Sequence, residues 1–309
     1  SSGSDISLGI SQGTSTGALR CPAPHPRRGH VRARPLFGRR SKLVLFHASS
    51  AWAGPRPGRG QCRRVPAFFR VALDHGNLPG CRWGDDGLKR RKSPLDLIIV
   101  GASGMGREVY DLCRRMSEYG KRWRIKGFLD SRADILKGLG EYPPILGDPD
   151  SHQVQSNELF VCAVGDSAWR LKYARSLRSR GANFFSILPP ESCGSHAQIG
   201  EGCIFYPGSG VGPNTVVGDF VFLNSYSGVG HDSRLGDGVT IGPQVCVGGW
   251  AAIGEAATVG THATILPHAV VGDHALVGAG SVVLKKVPPR TKVFGNPAVP
   301  IGPVDDDSP

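Results

Sequence analysis

No stretch of the 309 residues approaches the roughly 20 apolar residues that a membrane-spanning helix needs. The apolar run Leu43 to Phe46 is likewise too short for the core of a signal peptide. The sequence also lacks a C-x-x-C pair. Its eight cysteines (Cys21, Cys62, Cys81, Cys113, Cys162, Cys193, Cys203, Cys246) are scattered, which argues against a disulfide framework or a zinc site and for a reducing cytoplasm. Acidic residues are scarce at one end only. Residues 1–94 carry eighteen Lys/Arg against four Asp/Glu, and the rest carries nineteen against twenty-one, so the formal charge of +12 belongs to the N-terminal segment alone. A nucleic-acid partner would rest wholly on that segment, and none is expected.

Residues 1–94 follow neither a helical nor a strand period. Pro22, Pro24 and Pro26 run into Arg27 and Arg28, and Gly54 to Gly60 alternates with Pro and Arg. We read 1–94 as a disordered basic tail, or as cloning-derived and upstream sequence ahead of a start near Leu95, since it has little apolar surface to offset ordering entropy. A basic nucleic-acid or membrane-surface tail and a targeting segment are the alternatives.

What the chain does have is a register. From Ile199 to Val283 an apolar residue recurs at every sixth position, with a small or β-branched residue two places before it (Ala197, Cys203, Ser209, Thr215, Val221, on to Ala275 and Ser281). Glycine usually follows it. Six matches neither the helical 3.6 nor the strand period of 2; it is the repeat of a parallel β-helix. Each hexad is one short strand and a corner, with the apolar residue inside a narrow prism and the small one beside it. Glycine suits a corner where φ turns positive. Three hexads complete a coil, so residues eighteen apart stack about 4.8 Å apart. Cys203 and Cys246 occupy prism positions, where a thiol is a small hydrophobe.

The segment ahead of the prism reads as a small parallel α/β unit. Leu95–Val100 is a continuous apolar run, Gly101-Ala-Ser-Gly-Met-Gly106 follows, and an amphipathic helix runs on to Met116. Further strands are expected at 124–129, 158–164 and 183–188, with a helix carrying Trp169, Tyr173 and Leu177 on one face. The glycine turn would offer backbone N–H groups and a helix N-terminus to a phosphate. Asp130 ends the second strand, where an acid accepts hydrogen bonds from a ribose or base, or simply caps a loop.

This pairing of a Gly-Ala-Ser-Gly-x-Gly nucleotide fold with an uninterrupted hexapeptide prism resembles the bacterial sugar acetyltransferase family. That family includes sialic-acid O-acetyltransferases and N-acetyltransferases of nucleotide-linked 4-amino-4,6-dideoxy sugars such as UDP-bacillosamine precursors and GDP-perosamine. The likeness spans about Leu95 to Gly302 and is most specific at Leu223–Asp232, Leu235–Asp237 and Val293–Ala298. It implies a Rossmann-like nucleotide(-sugar)-binding domain over 95–190, a left-handed parallel β-helix acyltransferase domain over 191–302 and a short acidic tail over 303–309. It also implies His231 as general base, Asp232 as its polarising neighbour and Gly249, eighteen residues on, as the oxyanion donor. Gly101, Ser103, Gly104, Met105, Gly106, Asp130, Ser131 and Asn224 would bind the acceptor. Thr240, Thr261 and Ala279 would contact acetyl-CoA, the co-substrate, and no metal is implied. His262, His268 and His274 are read as solvated corner residues. Two departures bear on the substrate: the bacillosamine enzymes have His where this chain has Met105, and a second His where it has Thr240.

The implied activity is acetyl transfer to the amine or hydroxyl of a nucleotide-linked sugar, for polysaccharide biosynthesis in the cytoplasm. A sialic-acid-type O-acetyltransferase and a nucleotide-sensing or NAD-binding protein on a β-helix scaffold are the alternatives. A metal-dependent carbonic anhydrase prism needs histidines that are missing: Gly236 stands five residues after His231. Because the base lies on an outer corner, with no wall from its own prism, a homotrimer is expected to complete the cleft.

Overall fold

Leu95–Val100 is buried along its whole length as strand β1, the second-from-edge strand of a four-stranded parallel sheet. In the computed structural model, which describes residues 93–305, this sheet contains β2 (Trp123–Leu129), β3 (Ile145–Gly147) and β4 (Glu158–Cys162) in the order β3-β2-β1-β4. Both neighbours pair with β1 along the strand, and both of its faces are covered. That is why the sequence there is a solid apolar run and not an alternation. Helices α1 (Gly104–Arg114) and α2 (Ser167–Ser179) follow β1 and β4. The expected tail over 1–94 falls, except for its last two residues, outside the described range.

Two local expectations are corrected. The strand foreseen at 183–188 is reduced to isolated bridges, Phe160 with Phe184 and Ile187 with Ile204, because the segment passes from the sheet to the prism and belongs fully to neither. The face of α2 is also different. Arg170, Leu171, Ala174 and Leu177 are buried, whereas Trp169 and Tyr173 are only half-buried, Tyr173 at the margin of the core.

The hexads fold as expected, from β5 (Gln198–Ile199) to β19 (Val282–Val283), each strand two residues long. They stack in register eighteen apart, as in Val211–Val229–Val247–Ile265–Val283. Three flat sheets of six, seven and five strands result, a left-handed parallel β-helix. We call them the first face (through Ile199 and Leu235), the second (through Leu223 and Ile241) and the third (through Val229 and Val247). Every inward apolar residue of the register is buried except Ile199, at the open end, where it is half-covered. Each buried Val, Leu or Ile contributes about 1.5–3 kcal/mol. Cys203 is buried as expected, but Cys246 is exposed, since it immediately precedes Val247 and so points outward. The prism closes with β20 (Lys286–Val287), β21 (Thr291–Phe294) and an antiparallel strand β22 (Val299–Pro303). Val304 N–H also donates to Arg290 O at 2.8 Å, so the expected acidic tail begins tied to the last coil.

Glycine plays a different part from the one expected. Positive φ falls three residues after each apolar position, at Asn214, Phe220, Tyr226, Asp232, Gln244, Trp250, Ala256, His262, His268 and His274. The glycine directly after the apolar residue is needed for space. A Cβ on Gly230 would lie 2.5 Å from Gly249 N, and one on Gly212 would lie 2.7 Å from His231 N. The next coil passes too close for any side chain.

Arg170 joins the two parts of the molecule. It is 1% exposed, and burial lowers its pKa to about 10. Nη1 donates to Val164 O (2.8 Å) and Gly165 O (3.2 Å), Nε to Phe220 O (3.0 Å), and Nη2 to Gly238 O and Thr240 Oγ1 (2.7 Å each). Further out, Arg175 pairs with Asp237 and Glu255, and Arg178 with Asp219. Arg170→Met should therefore lower stability by about 3–5 kcal/mol, because it strands several buried carbonyls. Chemical denaturation measures this, and an unchanged midpoint would show that those carbonyls find other donors.

Candidate active site

The corner after the third face carries Asn214, Asp232, Trp250 and His268 at eighteen-residue intervals, all with positive φ. Adjacent residues of a strand point to opposite sides. At Asp232 the φ of +57° turns the backbone, and its Oδ2 meets His231 Nδ1 at 2.7 Å. Asn214 Nδ2 donates to the other carboxylate oxygen at 3.2 Å. The hydrogen bond from His231, followed by that from Asn214, holds the Asp232 carboxyl below its ordinary pKa. A carboxylate on Nδ1 fixes the tautomer with the proton there and the lone pair on Nε2. Nε2 has no hydrogen-bond partner among the described residues, and the side chain is 48% exposed.

Gly249 lies against this ring as expected: a Cβ there would stand 2.8 Å from His231 Nε2. Its N–H makes no hydrogen bond among the described residues. Sequence reasoning missed Trp250. Its ring centroid is 4.4 Å from that of His231, nearly perpendicular at 84°, and it stacks on His268 at 5.1 Å with the planes 3° apart. His231 therefore does have a wall from its own prism, and His268 is not simply a solvated corner residue. The eighteen-residue stacking already aligned Asp232, Trp250 and His268, and was the signal that would have found it. A groove of about 630 Å³, lined in part by Asp232, Arg234 and Trp250, opens alongside.

The remaining prism residues divide. Thr261 and Ala279 share the corner after the second face, one coil apart, and Asn224 lies on that same corner. It is the opposite margin of the third face from His231, so Asn224 and His231 meet over one substrate only between two prisms. Thr240 is not with them. It faces the α/β domain, where its hydroxyl bonds to Arg170 and to Ser167 Oγ at 2.8 Å and is thus already engaged.

A second cleft, of about 500 Å³, opens at the carboxyl ends of β1 and β4. Gly101, Ser103, Asp130 and Ser131 line one side; Trp169 and Tyr173 line the other. Gly101 holds φ +92°, and Gly106 is buried, where a Cβ would come within 2.0 Å of Gly101 O. Gly106 thus serves packing, and Met105 is half-buried against the core. Gly104 faces open space. The two helix N-termini differ. Ser103 makes no side-chain cap on α1, whereas Asp166 caps α2 by accepting from Ala168 and Trp169 N–H at 2.9 Å. The first is open to an anion; the second already holds one.

Asp130 caps the loop, its plainer alternative. Oδ2 accepts from Ala102 N–H (2.9 Å) and Arg132 Nη2 (3.0 Å), and Oδ1 from Arg132 N–H (3.1 Å) and Nε (2.9 Å). Burial pushes its pKa up, but the bonds from Arg132 and Ala102 outweigh this and hold it below the ordinary value. Its oxygens are thus taken up in holding the glycine turn, and Arg132, 62% exposed, presents the charge at the cleft. Sequence reasoning missed Arg132.

Residues 96–177 match the PglD N-terminal domain, and residues 214–249 match the bacterial transferase hexapeptide (six repeats). No curated protein sequence is significantly similar to the chain. Among solved structures, WeeI from Acinetobacter baumannii AYE is 30% identical with a TM-score of 0.58, the match covering 67% of this chain and 99% of that one. PerB from Caulobacter crescentus, in complex with CoA and GDP-perosamine, is 26% identical (TM-score 0.58; 67% and 97% covered). The acetyltransferase domain of PglB from Neisseria gonorrhoeae FA1090, in complex with acetyl coenzyme A, is 28% identical (TM-score 0.60; 68% and 100% covered).

Since the Asp130 pKa is depressed by folding, its contribution is present in full above the unfolded carboxylate value of about 3.9 and is lost as pH falls through the lower folded value. Asp130→Asn should cost about 1–2 kcal/mol at neutral pH. The gap from wild type, followed by denaturation against pH, should hold down to about pH 4 and close below it; a gap independent of pH would contradict a charged cap.

Proposed function

The chain belongs to the bacterial sugar acetyltransferases that join a PglD-type N-terminal domain to a hexapeptide-repeat β-helix, and from that premise we propose that it acetylates the amine of a nucleotide-linked amino sugar. It is an acyltransferase, and acetyl-CoA is its co-substrate. One observation carries the mechanism: His231 has Nδ1 tied to Asp232 and Nε2 free, with Gly249 against its ring.

In this reading the acceptor nitrogen attacks the thioester carbonyl carbon while Nε2 of His231 takes the N–H proton. The new C–N bond leaves a tetrahedral oxyanion, which the Gly249 N–H stabilises. Its collapse breaks the C–S bond, and the proton held by His231 passes to the departing CoA sulfur. Asp232 favours the imidazolium formed in between. Acetyl-CoA lies along the corner of Thr261 and Ala279, and Asn224 holds the sugar.

The acceptor's diphosphate sits at the uncapped N-terminus of α1, with Arg132 beside it, and its base sits against Trp169 and Tyr173. An amine acceptor is favoured over a hydroxyl by the likeness to perosamine N-acetyltransferase from Caulobacter crescentus, whose structure holds GDP-perosamine. Met105 and Thr240 argue against the bacillosamine precursor as the sugar. A cytoplasmic setting agrees with the use of acetyl-CoA; among the described residues, no disulfide forms and no helix is long and apolar enough to cross a membrane.

Two substitutions separate the halves of the site. His231→Ala should lower turnover about 10²–10⁴-fold with acetyl-CoA affinity near wild type, and His274→Ala, on a different corner, serves as control. Gly104→Val, whose side chain enters open space, should raise KM for the sugar nucleotide and leave that for acetyl-CoA alone. Equal small losses from both histidine variants would remove His231 from the mechanism, and an unaltered sugar-nucleotide KM would separate the glycine turn from the acceptor.

Because His231 and Asn224 occupy opposite margins of one face, the complete site is built between neighbouring prisms, and closed threefold symmetry supplies three such clefts. Light scattering should give about three times the 32.8 kDa chain mass. An active monomer would contradict this arrangement.

A further inference from the structure

We propose that Trp250 is a positioning residue that fixes the orientation of the His231 imidazole. This rests on the reading of His231 as the general base and adds a residue that neither the glycine motif nor the hexad pattern marks.

The fold itself does not call for tryptophan at this position. Trp250 holds φ +55°, and equivalent corners carry residues of every size, from Gly238 and Ala256 to Phe220 and Tyr226, so the corner itself selects for no particular side chain. Its side chain is 52% exposed, so burial does not account for it either. What it contacts is specific. Its backbone N–H donates to His231 O at 3.0 Å, as the backbone does at every such corner, but its ring alone stands 4.4 Å from the His231 ring at 84°. The parallel stack on His268 restrains the indole in turn. His231 is thus held on three sides: by Asp232 at Nδ1, by the indole, and by the next coil at Gly249, whose lack of a side chain admits the ring. Rotation that withdraws Nε2 from the acceptor breaks both the carboxylate bond and the aromatic contact.

The effect is on the reacting geometry. Nε2 must meet the acceptor N–H within hydrogen-bond reach as the proton moves, so an imidazole held in that orientation serves the transition state more than the ground state. Such an interaction, stronger in the transition state than in the ground state, raises turnover and not merely binding. The other ionisable groups around the pair are Asp232 on the same corner, His268 on Trp250, and Arg234, which lines the same groove.

The test is kcat and both KM values, with acetyl-CoA and sugar nucleotide, for the intact protein and for Trp250→Gly, Trp250→Phe and His231→Ala. Glycine suits the positive φ, so Trp250→Gly retains the fold, and its melting temperature checks this. We expect Trp250→Gly to lower kcat about three- to tenfold with both KM values little changed. Trp250→Phe should restore most of the lost turnover. A Trp250→Gly kcat equal to wild type, or Phe and Gly variants that behave alike, would overturn the proposal. Full turnover in His231→Ala would overturn the general-base reading instead.

Discussion

The guanidinium of Arg170 is the contact on which the arrangement of the molecule depends. It is a buried cation without a bonded carboxylate, and carbonyl groups from both sides of a domain boundary satisfy it: Val164 and Gly165 from the loop after β4, Phe220 and Gly238 from successive coils. A planar group with five donors in a fixed fork accepts only one relative placement of those acceptors. The loop it holds forms one wall of the cleft beside the glycine turn, so the same side chain that docks the α/β unit also shapes that cleft.

Two carboxylates repeat this use of charge on a smaller scale. Asp130 takes Ala102 N–H and the Arg132 side chain and so sets the glycine turn; Asp232 takes His231 Nδ1 and Asn214 and so sets the imidazole. Each is kept ionised by hydrogen bonds to its charged form. In both places an acid that sequence inspection assigns to the chemistry acts by orienting a neighbour.

How much was legible in the sequence follows from how local each signal was. The hexad register is a strict period, and it specified the prism, its buried faces and the stacking of His231 with Gly249. The reason for the glycines was misread because the limit on Gly230 is the backbone of Gly249, nineteen residues away, and not its own φ. Trp169 and Tyr173 fitted an apolar stripe on α2, but the prism offers α2 both apolar side chains (Phe220, Ala256) and backbone carbonyls, so Leu171 and Arg170 face inward and the aromatic residues line the cleft. Thr240 fell to the same cause, since only the docked α/β unit shows that its hydroxyl is already in use. Arg132 carried no motif and became visible only through what stands next to it, whereas Trp250 was legible only in its eighteen-residue stacking with Asp232 and His268.

The in-register stack also restricts how this chain is able to change length. A coil is eighteen residues, so a whole coil gained or lost outside the stretch from Asn224 to Ala279 leaves every remaining side chain on its original edge. A single-residue insertion between Ile199 and Val283 turns the apolar positions beyond it outward. Removal of six residues spares the core pattern but moves everything beyond the cut to the next edge, separating Gly249 from His231 when the cut falls between them. Divergence within such a protein therefore runs through substitution at the corners and through gain or loss of complete coils, while small insertions and deletions are confined to the α/β unit.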